Sequence, residues 1–312
     1  MMKKAPKKLL WTVLLSVSIA VAARAAEFST NSADKDAFVR ALAPTLNYGG
    51  GGALSVSGTN ATTSNPTNGA FDSFISYNTA AMVTNFNATL GTNNWVITSA
   101  TLNLTENSLP GNPVFNYGTG QFQVRWIAND TWTNGTGTPN APTTTGVTYS
   151  QEPAYLNSNT DMSLGAFNFP GTKVSCPLAL PSAFVTNMQA GGEVGLFLTA
   201  IDPGIGFVFY SSRYAGLAST HPSLVVSAVA QPVISSISAS GTNLVLSATN
   251  GVAGGTYYVL TSTNLALPFN QWAPIATNLL PSGGSFLITN FVMTVTNAVS
   301  ANAQQFFIFQ TQ

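Results

Sequence analysis

Two aromatic residues bracket the longest stretch of turn-forming residues in the chain. Trp132 and Tyr149 flank the segment "TNGTGTPNAPTTTGVT", which is rich in Gly, Pro, Asn and Thr. Flat aromatic faces can stack on the apolar C–H faces of sugar rings, and Asn134, Asn140 and Thr145 could exchange hydrogen bonds with sugar hydroxyls. The segment could therefore form a glycan-binding loop. The alternative, which the pattern favours, is that Trp132 and Tyr149 pin a long loop to a sheet.

A third candidate ligand-binding residue is Arg213, which follows the run "FVFYSS". A guanidinium can hold a carboxylate through two parallel hydrogen bonds, so Arg213 could bind the acid group of a uronate sugar. Arg213 could instead close a structural ion pair with a carboxylate of the long loop, either Asp130 or Glu152.

Acidic side chains could serve as catalysts or as metal ligands. A glycosidase needs two carboxylates about 5–9 Å apart in one cleft, but nothing in the spacing of the ten acidic residues selects such a pair. Calcium prefers carboxylate and carbonyl oxygens, and "ADKD" would place Asp34 and Asp36 on the same face of a strand edge. These two residues are the candidate structural calcium site, with solvated charge as the alternative. We predict no other cofactor and no catalytic residue.

The remaining reactive residue types predict structural roles. His221 is the only histidine and precedes Pro222 and the run "SLVVSA", where we expect it to position a loop. Cys176 is the only cysteine, which excludes an intrachain disulfide and a Cys-rich zinc site. The run "NYGGGG" lacks the Lys of a phosphate-binding loop and predicts a hairpin or bulge. No P-loop, HExxH or GxSxG motif is present in the sequence.

The N-terminus has the three parts of a signal peptide. Four lysines among residues 3–8 precede an apolar run from Leu9 to Ala23, which ends at "ARA". The run is shorter than the ~20 residues needed to span a bilayer. We therefore predict a signal peptide over residues 1–25, export of the mature chain to the cell surface or the extracellular space, and no membrane span in that chain.

Cleavage would change the charge of the protein. It lowers the number of Lys and Arg residues from 10 to 5 and leaves all 10 acidic residues, so the mature chain is near −5. Nucleic-acid binding needs clustered basic residues to displace counterions. The charge therefore excludes nucleic acid as the expected partner.

Strand patterns predominate along the chain. Apolar and polar residues alternate in "SATLNLT", "QFQVRWI" and "EVGLFLTA", which predicts antiparallel strands with one buried face. Such strands are typical of a β-sandwich. No segment after the signal peptide shows a helical period over three turns, although a short helix fits "PSAFVTNMQAG", with Ser182 as its cap and Gly191 as its stop.

The composition changes toward the C-terminus. No Asp, Glu, Lys or Arg occurs from Tyr214 to Gln312, and Pro232 follows soon after this change. Beyond it, Thr-Asn dipeptides separate short apolar runs, which predicts a small sandwich of immunoglobulin or fibronectin-III type. We predict a first domain over residues 26–228, a linker over 229–235 and a second domain over 236–312.

The first domain resembles a known family. The order of "KDAFVRALAPTLNYGGGGALSV", "FDSFISYNT", "VITSATLNLT", "DTWTNGTGT…GVTYSQEP" and "FVFYSSRY…HPSLVVSA" is similar to DNRLRE-domain proteins, which are related to disaggregatase repeats. The resemblance covers about residues 28–228 and implies a jelly-roll β-sandwich on exported bacterial or archaeal proteins, some of them classed as carbohydrate-binding modules. The chain departs from the family at Tyr149, where relatives have Trp, at Tyr214, where they have an acidic residue, and before Asp72, where they have Arg.

These observations favour a non-catalytic exported module that binds polysaccharide or supports cell-surface adhesion. The alternative is a structural envelope or matrix protein without a specific glycan, and a polysaccharide-degrading enzyme ranks third. An exposed aromatic strip would favour binding, and paired acidic side chains in a cleft would favour the enzyme. The sequence does not predict an oligomeric state.

Overall fold

The computed structural model describes residues 25–30, 32–59, 69–93, 95–107, 120–169, 171–231, 233–240, 243–252, 256–268, 271–279, 287–295 and 306–311. The predicted signal peptide lies outside the described residues except for Ala25. The rest of the chain divides into two compact units between Gln231 and Pro232. Strands account for 48% of the structure and helices for 14%, which confirms the all-β prediction.

The first unit contains eleven strands within its described residues. They are β1 (Ala25–Thr30), β2 (Lys35–Arg40), β3 (Ala53–Ser57), β4 (Phe71–Asn78), β5 (Trp95–Thr105), β6 (Gln121–Ile127), β7 (Met162–Asn168), β8 (Lys173–Leu178), β9 (Glu193–Ala200), β10 (Gly206–Tyr210) and β11 (Ser223–Ala230).

These strands form two antiparallel sheets. A four-stranded sheet has the order β1-β11-β5-β8, and a seven-stranded sheet has the order β10-β3-β4-β9-β6-β7, with β2 also paired to β4. One core of buried residues draws side chains from both sheets. The alternation seen in β5, β6 and β9 is confirmed, because Leu102, Phe122, Val124, Leu196 and Leu198 are all buried in that core. The sandwich thus follows from burying one face of each strand.

The opposite face of the seven-stranded sheet is covered by the long connection between β6 and β7. We call residues 128–161 the covering segment. A second apolar cluster joins Trp132 and Val147 of this segment to Ala37 of β2, Phe74 of β4 and Phe197 of β9, among others. Phe74 lies here while its neighbour Ile75 lies in the main core, since successive side chains of a strand point to opposite faces.

Among the described residues, three α-helices accompany the strands: α1 (Ala80–Leu90), α2 (Glu152–Tyr155) and α3 (Ser182–Gln189). The short helix expected near Ser182 is confirmed, but its cap position is Pro181, and Gly191 follows with φ of +74°. Helix α1 contradicts the expectation that no such helix exists. Its buried residues Met82, Phe86 and Leu90 recur every four positions, a period that the surrounding Thr and Asn residues obscure.

The second unit contains strands β12 (Val233–Ser240), β13 (Asn243–Val252), β14 (Thr256–Ser262), β15 (Ala273–Leu279), β16 (Leu287–Val295) and β17 (Phe306–Thr311). They form two three-stranded antiparallel sheets, β12-β13-β16 and β15-β14-β17. Where burial is described in this unit, the buried side chains are Leu246, Ala248, Val259, Leu260, Ser262 and Trp272. The connection between the units is shorter than the predicted linker, because Val229 and Ala230 end β11 and Val233 begins β12.

Candidate functional site

Trp132, the first candidate for sugar stacking, is buried. Only 1% of its surface is exposed, and its ring centre lies 5.5 Å from that of Phe74 beneath it. The Lys35 ammonium nitrogen lies 5.1 Å from the centre of the Trp132 ring. Trp132 therefore has no free face to offer a ligand in this structure. Its position fits the alternative stated above, in which the residue pins the loop to the sheet.

Tyr149 also packs against the cluster beneath the covering segment, and it is half-buried. Burial raises the pKa of its hydroxyl, and the nearby carboxyl groups of Glu152 and Asp72 raise it further. Of the proposed hydrogen-bonding residues, Asn140 and Thr145 are exposed, whereas Asn134 is half-buried. The structure thus does not bring Trp132, Tyr149 and Arg213 together as one exposed surface.

Asn47 explains why the covering segment and the "NYGGGG" run contain so much glycine. Its amide nitrogen donates to the carbonyl oxygens of Asn134 (2.7 Å) and Val147 (2.8 Å), and its amide oxygen accepts from the backbone nitrogens of Gly49 (3.1 Å) and Gly137 (3.2 Å). The backbones approach so closely that a Cβ at Gly49 would lie 1.8 Å from the Asn134 carbonyl oxygen. Only glycine permits that approach.

Of the three candidate glycan-binding residues Trp132, Tyr149 and Arg213, only Arg213 is exposed. It lies in the connection between β10 and β11, residues 211–222, which we call the arginine loop. Neither Asp130 nor Glu152 is its partner: Asp130 lies beside Lys35, and Glu152 beside Asp72. The carboxylate whose charge interacts with Arg213 is Asp36. The prediction that Arg213 forms a structural ion pair with Asp130 or Glu152 is therefore wrong.

Two side chains hold the arginine loop in place. Asp36, which is 1% exposed, accepts a 2.5 Å hydrogen bond from the Ser212 backbone nitrogen. Burial raises the pKa of Asp36, while hydrogen bonds from Ser212 and the charge of Arg213 oppose that rise. At the other end, His221 Nε2 lies 3.0 Å from the Tyr214 carbonyl oxygen. Since a carbonyl only accepts, Nε2 carries the hydrogen, and His221 has the positioning geometry that the sequence suggested.

A pair of tyrosines flanks Arg213. The ring centres of Tyr210 and Tyr214 lie 4.3 Å apart, and both side chains are half-exposed. Burial raises the pKa of Tyr210, as do a hydrogen bond with Tyr214 and the nearby Glu106 carboxyl. Sequence reasoning missed this pair because it sought aromatics in the long Gly/Pro-rich loop. The available signal was "FVFYSSRY", in which a strand ends at Tyr210 and the chain turns back within four residues.

The predicted calcium ligands do not converge on one point. Asp34 accepts a 2.6 Å hydrogen bond from the Asn78 backbone nitrogen, whereas Asp36 bonds to Ser212. Among the described residues, no group of three or more His, Cys, Asp and Glu side chains is arranged to hold a metal ion. Calcium binding at Asp34 and Asp36 stays a prediction.

The structure brings two acidic residues near each other that their spacing in the sequence does not indicate. Asp72 of β4 and Glu152 of α2 are 7% and 9% exposed. Burial, followed by the charge of Asp72, raises the pKa of Glu152 to about 9, and burial raises the pKa of Asp72 to about 6. A glycosidase pair stands about 5 Å or more apart around an open cleft. Both members of this pair are buried, so they do not line an open cleft.

Comparisons with known proteins add little to this description. No family model matches the chain, and no curated protein matches it. Among solved structures, the chain is similar to that of the Macrobrachium rosenbergii nodavirus, with 11% identity and a TM-score of 0.21 over 100% of this chain and 97% of that chain. A likeness at that TM-score carries no argument about fold or function. In the part of the chain that the structure describes, no helix has both the length and the apolar character needed to cross a bilayer.

Proposed function

We propose that the mature chain is a non-catalytic exported module that binds polysaccharide or supports cell-surface adhesion, and that the arginine loop is its binding site. The observation that carries this proposal is that Arg213 is exposed and lies in the sequence between Tyr210 and Tyr214, which are half-exposed and have ring centres 4.3 Å apart. Arg213 takes part in neither of the ion pairs seen among the described residues. An exposed arginine close in sequence to two half-exposed aromatic rings suits a ligand with both hydroxyl or carboxylate groups and apolar ring faces.

The surroundings of the loop supply the other contacts that a sugar needs. Arg213 would hold a uronate carboxylate or a pair of hydroxyls through its fork of N–H groups. The tyrosines would contact C–H faces, and their hydroxyls would hydrogen-bond. The Glu106 carboxyl, which lies near Tyr210, would accept hydrogen bonds from sugar hydroxyls.

The attachment of the loop supports a role in recognition. Asp36 fixes the Ser212 backbone, the Ser211 hydroxyl accepts from the Arg213 backbone nitrogen at 2.9 Å, and His221 holds the Tyr214 carbonyl. A loop that is already ordered loses less conformational entropy when it binds a ligand. The backbone that carries Arg213 is thus prepared for binding without rearrangement.

Other parts of the proposal rest on the sequence. The predicted signal peptide over residues 1–25 supports export, and the resemblance to DNRLRE-domain proteins supports a carbohydrate-related role for the first unit. The proposal also includes a structural calcium ion bound by Asp34 and Asp36.

The alternative is a structural envelope or matrix protein without a specific glycan. The burial of Trp132 favours this alternative, because it removes the largest aromatic face from the set that could stack on sugar. The two functions differ in whether the arginine loop contacts a ligand.

A glycan array with the mature chain, run with calcium and with a chelator, separates the two. We expect the parent to bind at least one polysaccharide. The Arg213→Ala variant should bind it about tenfold more weakly or worse, since a hydrogen bond to a charged group contributes about 1.5–3 kcal/mol. Arg213→Lys tests the need for the fork of donors. Lys173→Ala, which removes an exposed cation of β8, is the matched control. Absence of any bound glycan, or equal binding by Arg213→Ala and the parent, would favour the matrix protein.

A further inference from the structure

The second unit differs from the first in its charge. No Asp, Glu, Lys or Arg occurs from Pro232 to Gln312, whereas residues 26–231 contain 5 basic and 10 acidic residues. Like charge on a surface keeps copies of a protein apart, and a surface near zero charge favours association. The second unit therefore lacks the electrostatic repulsion that separates identical surfaces.

The edge strands of the first unit are protected against pairing with another chain. An edge strand presents unpaired backbone N–H and C=O groups, and proteins block such edges with charged residues, prolines and β-bulges. At the two edges of the four-stranded sheet, β1 exposes Glu27, and β8 exposes Lys173 and Pro177. In the seven-stranded sheet, the edge strand β7 pairs with β6 through a register shift between Val124 and Arg125. Each of these edges thus hinders the addition of a strand.

In the second unit, the two edges of the sheet β15-β14-β17 differ from each other. The edge strand β15 contains Pro274, and its register with β14 shifts between Val259 and Leu260. The other edge strand, β17, pairs with β14 in one continuous register from Phe306 to Thr311. It contains no charged residue and no proline. Among the described residues, no strand lies on the other side of β17, so this edge has none of the three protections.

The sequence of β17 also suits pairing with another strand. It reads "FFIFQT", with four consecutive apolar residues that are typical of strands, and uncharged segments of this kind and length pair readily. Both faces of the central strand β14 are occupied, because its successive residues Val259 and Leu260 are both buried. The free edge is therefore the part of this sheet that a further strand can join. The uncharged edge strand β16 suits this less, since Asn290 and its neighbour Thr289 interrupt its apolar residues.

We propose that β17 pairs in antiparallel orientation with β17 of a second copy of this chain, which joins two three-stranded sheets into one continuous sheet. A charged partner would find no opposite charge on the second unit, whereas two copies of an uncharged strand do not repel each other. Antiparallel pairing of a strand with its own copy has two-fold symmetry, so the assembly closes at two copies.

The dimer would give each particle two first units. If each first unit binds a polysaccharide through its arginine loop, the second binding event becomes intramolecular and the avidity rises. Only this consequence rests on the proposed function. The pairing of β17 is a property of the second unit and is measured without a glycan, so either proposal can fail without the other.

Sedimentation velocity of the mature chain over a concentration series tests the pairing. We expect the mass to rise from one copy to two and no further. Gln310→Lys should weaken dimerisation about tenfold or more, because it places one cation on each of the two facing strands. The matched control is Thr277→Lys in β15, since Thr277 is exposed and lies opposite Tyr258 on the other side of β14 from Gln310. This control should dimerise as the parent does.

Three results would overturn the proposal: a single copy at every concentration, growth beyond two copies, or equal weakening by the two lysine variants. A charge reversal separates lost pairing from lost folding. Gln310→Glu alone should also dimerise weakly, whereas an equimolar mixture of Gln310→Glu and Gln310→Lys should associate more tightly than either variant alone, because opposite charges then meet within about one Debye length, ~10 Å. No gain on mixing would show that β17 is not the contact.

Discussion

The covering segment joins two strands of the seven-stranded sheet, and the arginine loop joins β10 of that sheet to β11 of the four-stranded sheet. The two connections differ in how they place the aromatic residues in or beside them. The covering segment buries Trp132 completely, although Gly, Pro, Asn and Thr surround that residue. The arginine loop is shorter and leaves Arg213 exposed and Tyr214 half-exposed, as is Tyr210 at the end of β10. Turn-forming composition marks a connection, but the face of the sheet beneath it decides whether its aromatics are buried.

The two connections are also held by different forces. The covering segment lies on an apolar patch of β2, β4 and β9 and is fastened by Trp132 and by the amide of Asn47. The arginine loop is held by one buried carboxylate and one histidine that bond to its backbone. Substitutions in the first connection should therefore change the free energy of unfolding, and substitutions in the second should change binding.

The largest effect should come from Trp132→Ala. Removing this side chain opens a cavity against Phe74 and Phe197, and such truncations cost about 3–5 kcal/mol. Urea unfolding monitored by circular dichroism measures the change. Thr131→Ala, next to it and exposed, is the control and should change the free energy of unfolding by less than about 0.5 kcal/mol. A similarly small change for Trp132→Ala would mean that the indole is exposed in solution.

Asn47→Ala should follow, with a loss of roughly 2–4 kcal/mol, because two carbonyl oxygens and two backbone nitrogens would lose their partner. The same unfolding experiment measures this loss, with the exposed Asn140→Ala as the control. Equal stability of the two variants would show that water replaces the Asn47 amide at no cost.

The sequence predicted much of the fold and little of the site, and the reason is physical. Alternation in β5, β6 and β9 is a local pattern, so Leu102, Val124 and Leu196 could be placed in the core from their neighbours alone. The electrostatic interaction of Asp72 with Glu152 depends on how the covering segment lies across the sheet, which no local pattern contains. The exposure of Arg213 likewise depends on Asp36, a residue distant in sequence that bonds to Ser212.

The pH dependence of the free energy of unfolding tests the protonation of Glu152 in the covering segment and of Asp72 beneath it. Because the folded pKa values of Asp72 and Glu152, about 6 and about 9, lie above the ordinary values of 3.8 and 4.5, the folded state binds more protons than the unfolded state between these limits. The stabilisation by this pair is thus complete at acidic pH and is lost as pH rises through the two folded values. We expect Glu152→Gln to gain roughly 1–3 kcal/mol over the parent at about pH 9 and less at about pH 5. Equal stability of the two proteins at every pH would contradict the raised pKa of Glu152.

The smallest change in the free energy of unfolding should come from Arg213→Ala. A small change is what we expect if Arg213 binds a ligand and does not support the fold. The guanidinium is exposed, and its interaction with Asp36 is screened by water, so the free energy of unfolding should change by less than about 0.5 kcal/mol. Asp36→Asn is the matched comparison, because it weakens the buried bond to the Ser212 backbone nitrogen and should cost about 1–3 kcal/mol. Thermal melts of the three proteins separate the residue that holds the loop from the residue that the loop presents. A loss for Arg213→Ala as large as that for Asp36→Asn would make Arg213 part of the structural support, and the binding site would then have to be sought elsewhere on the sandwich.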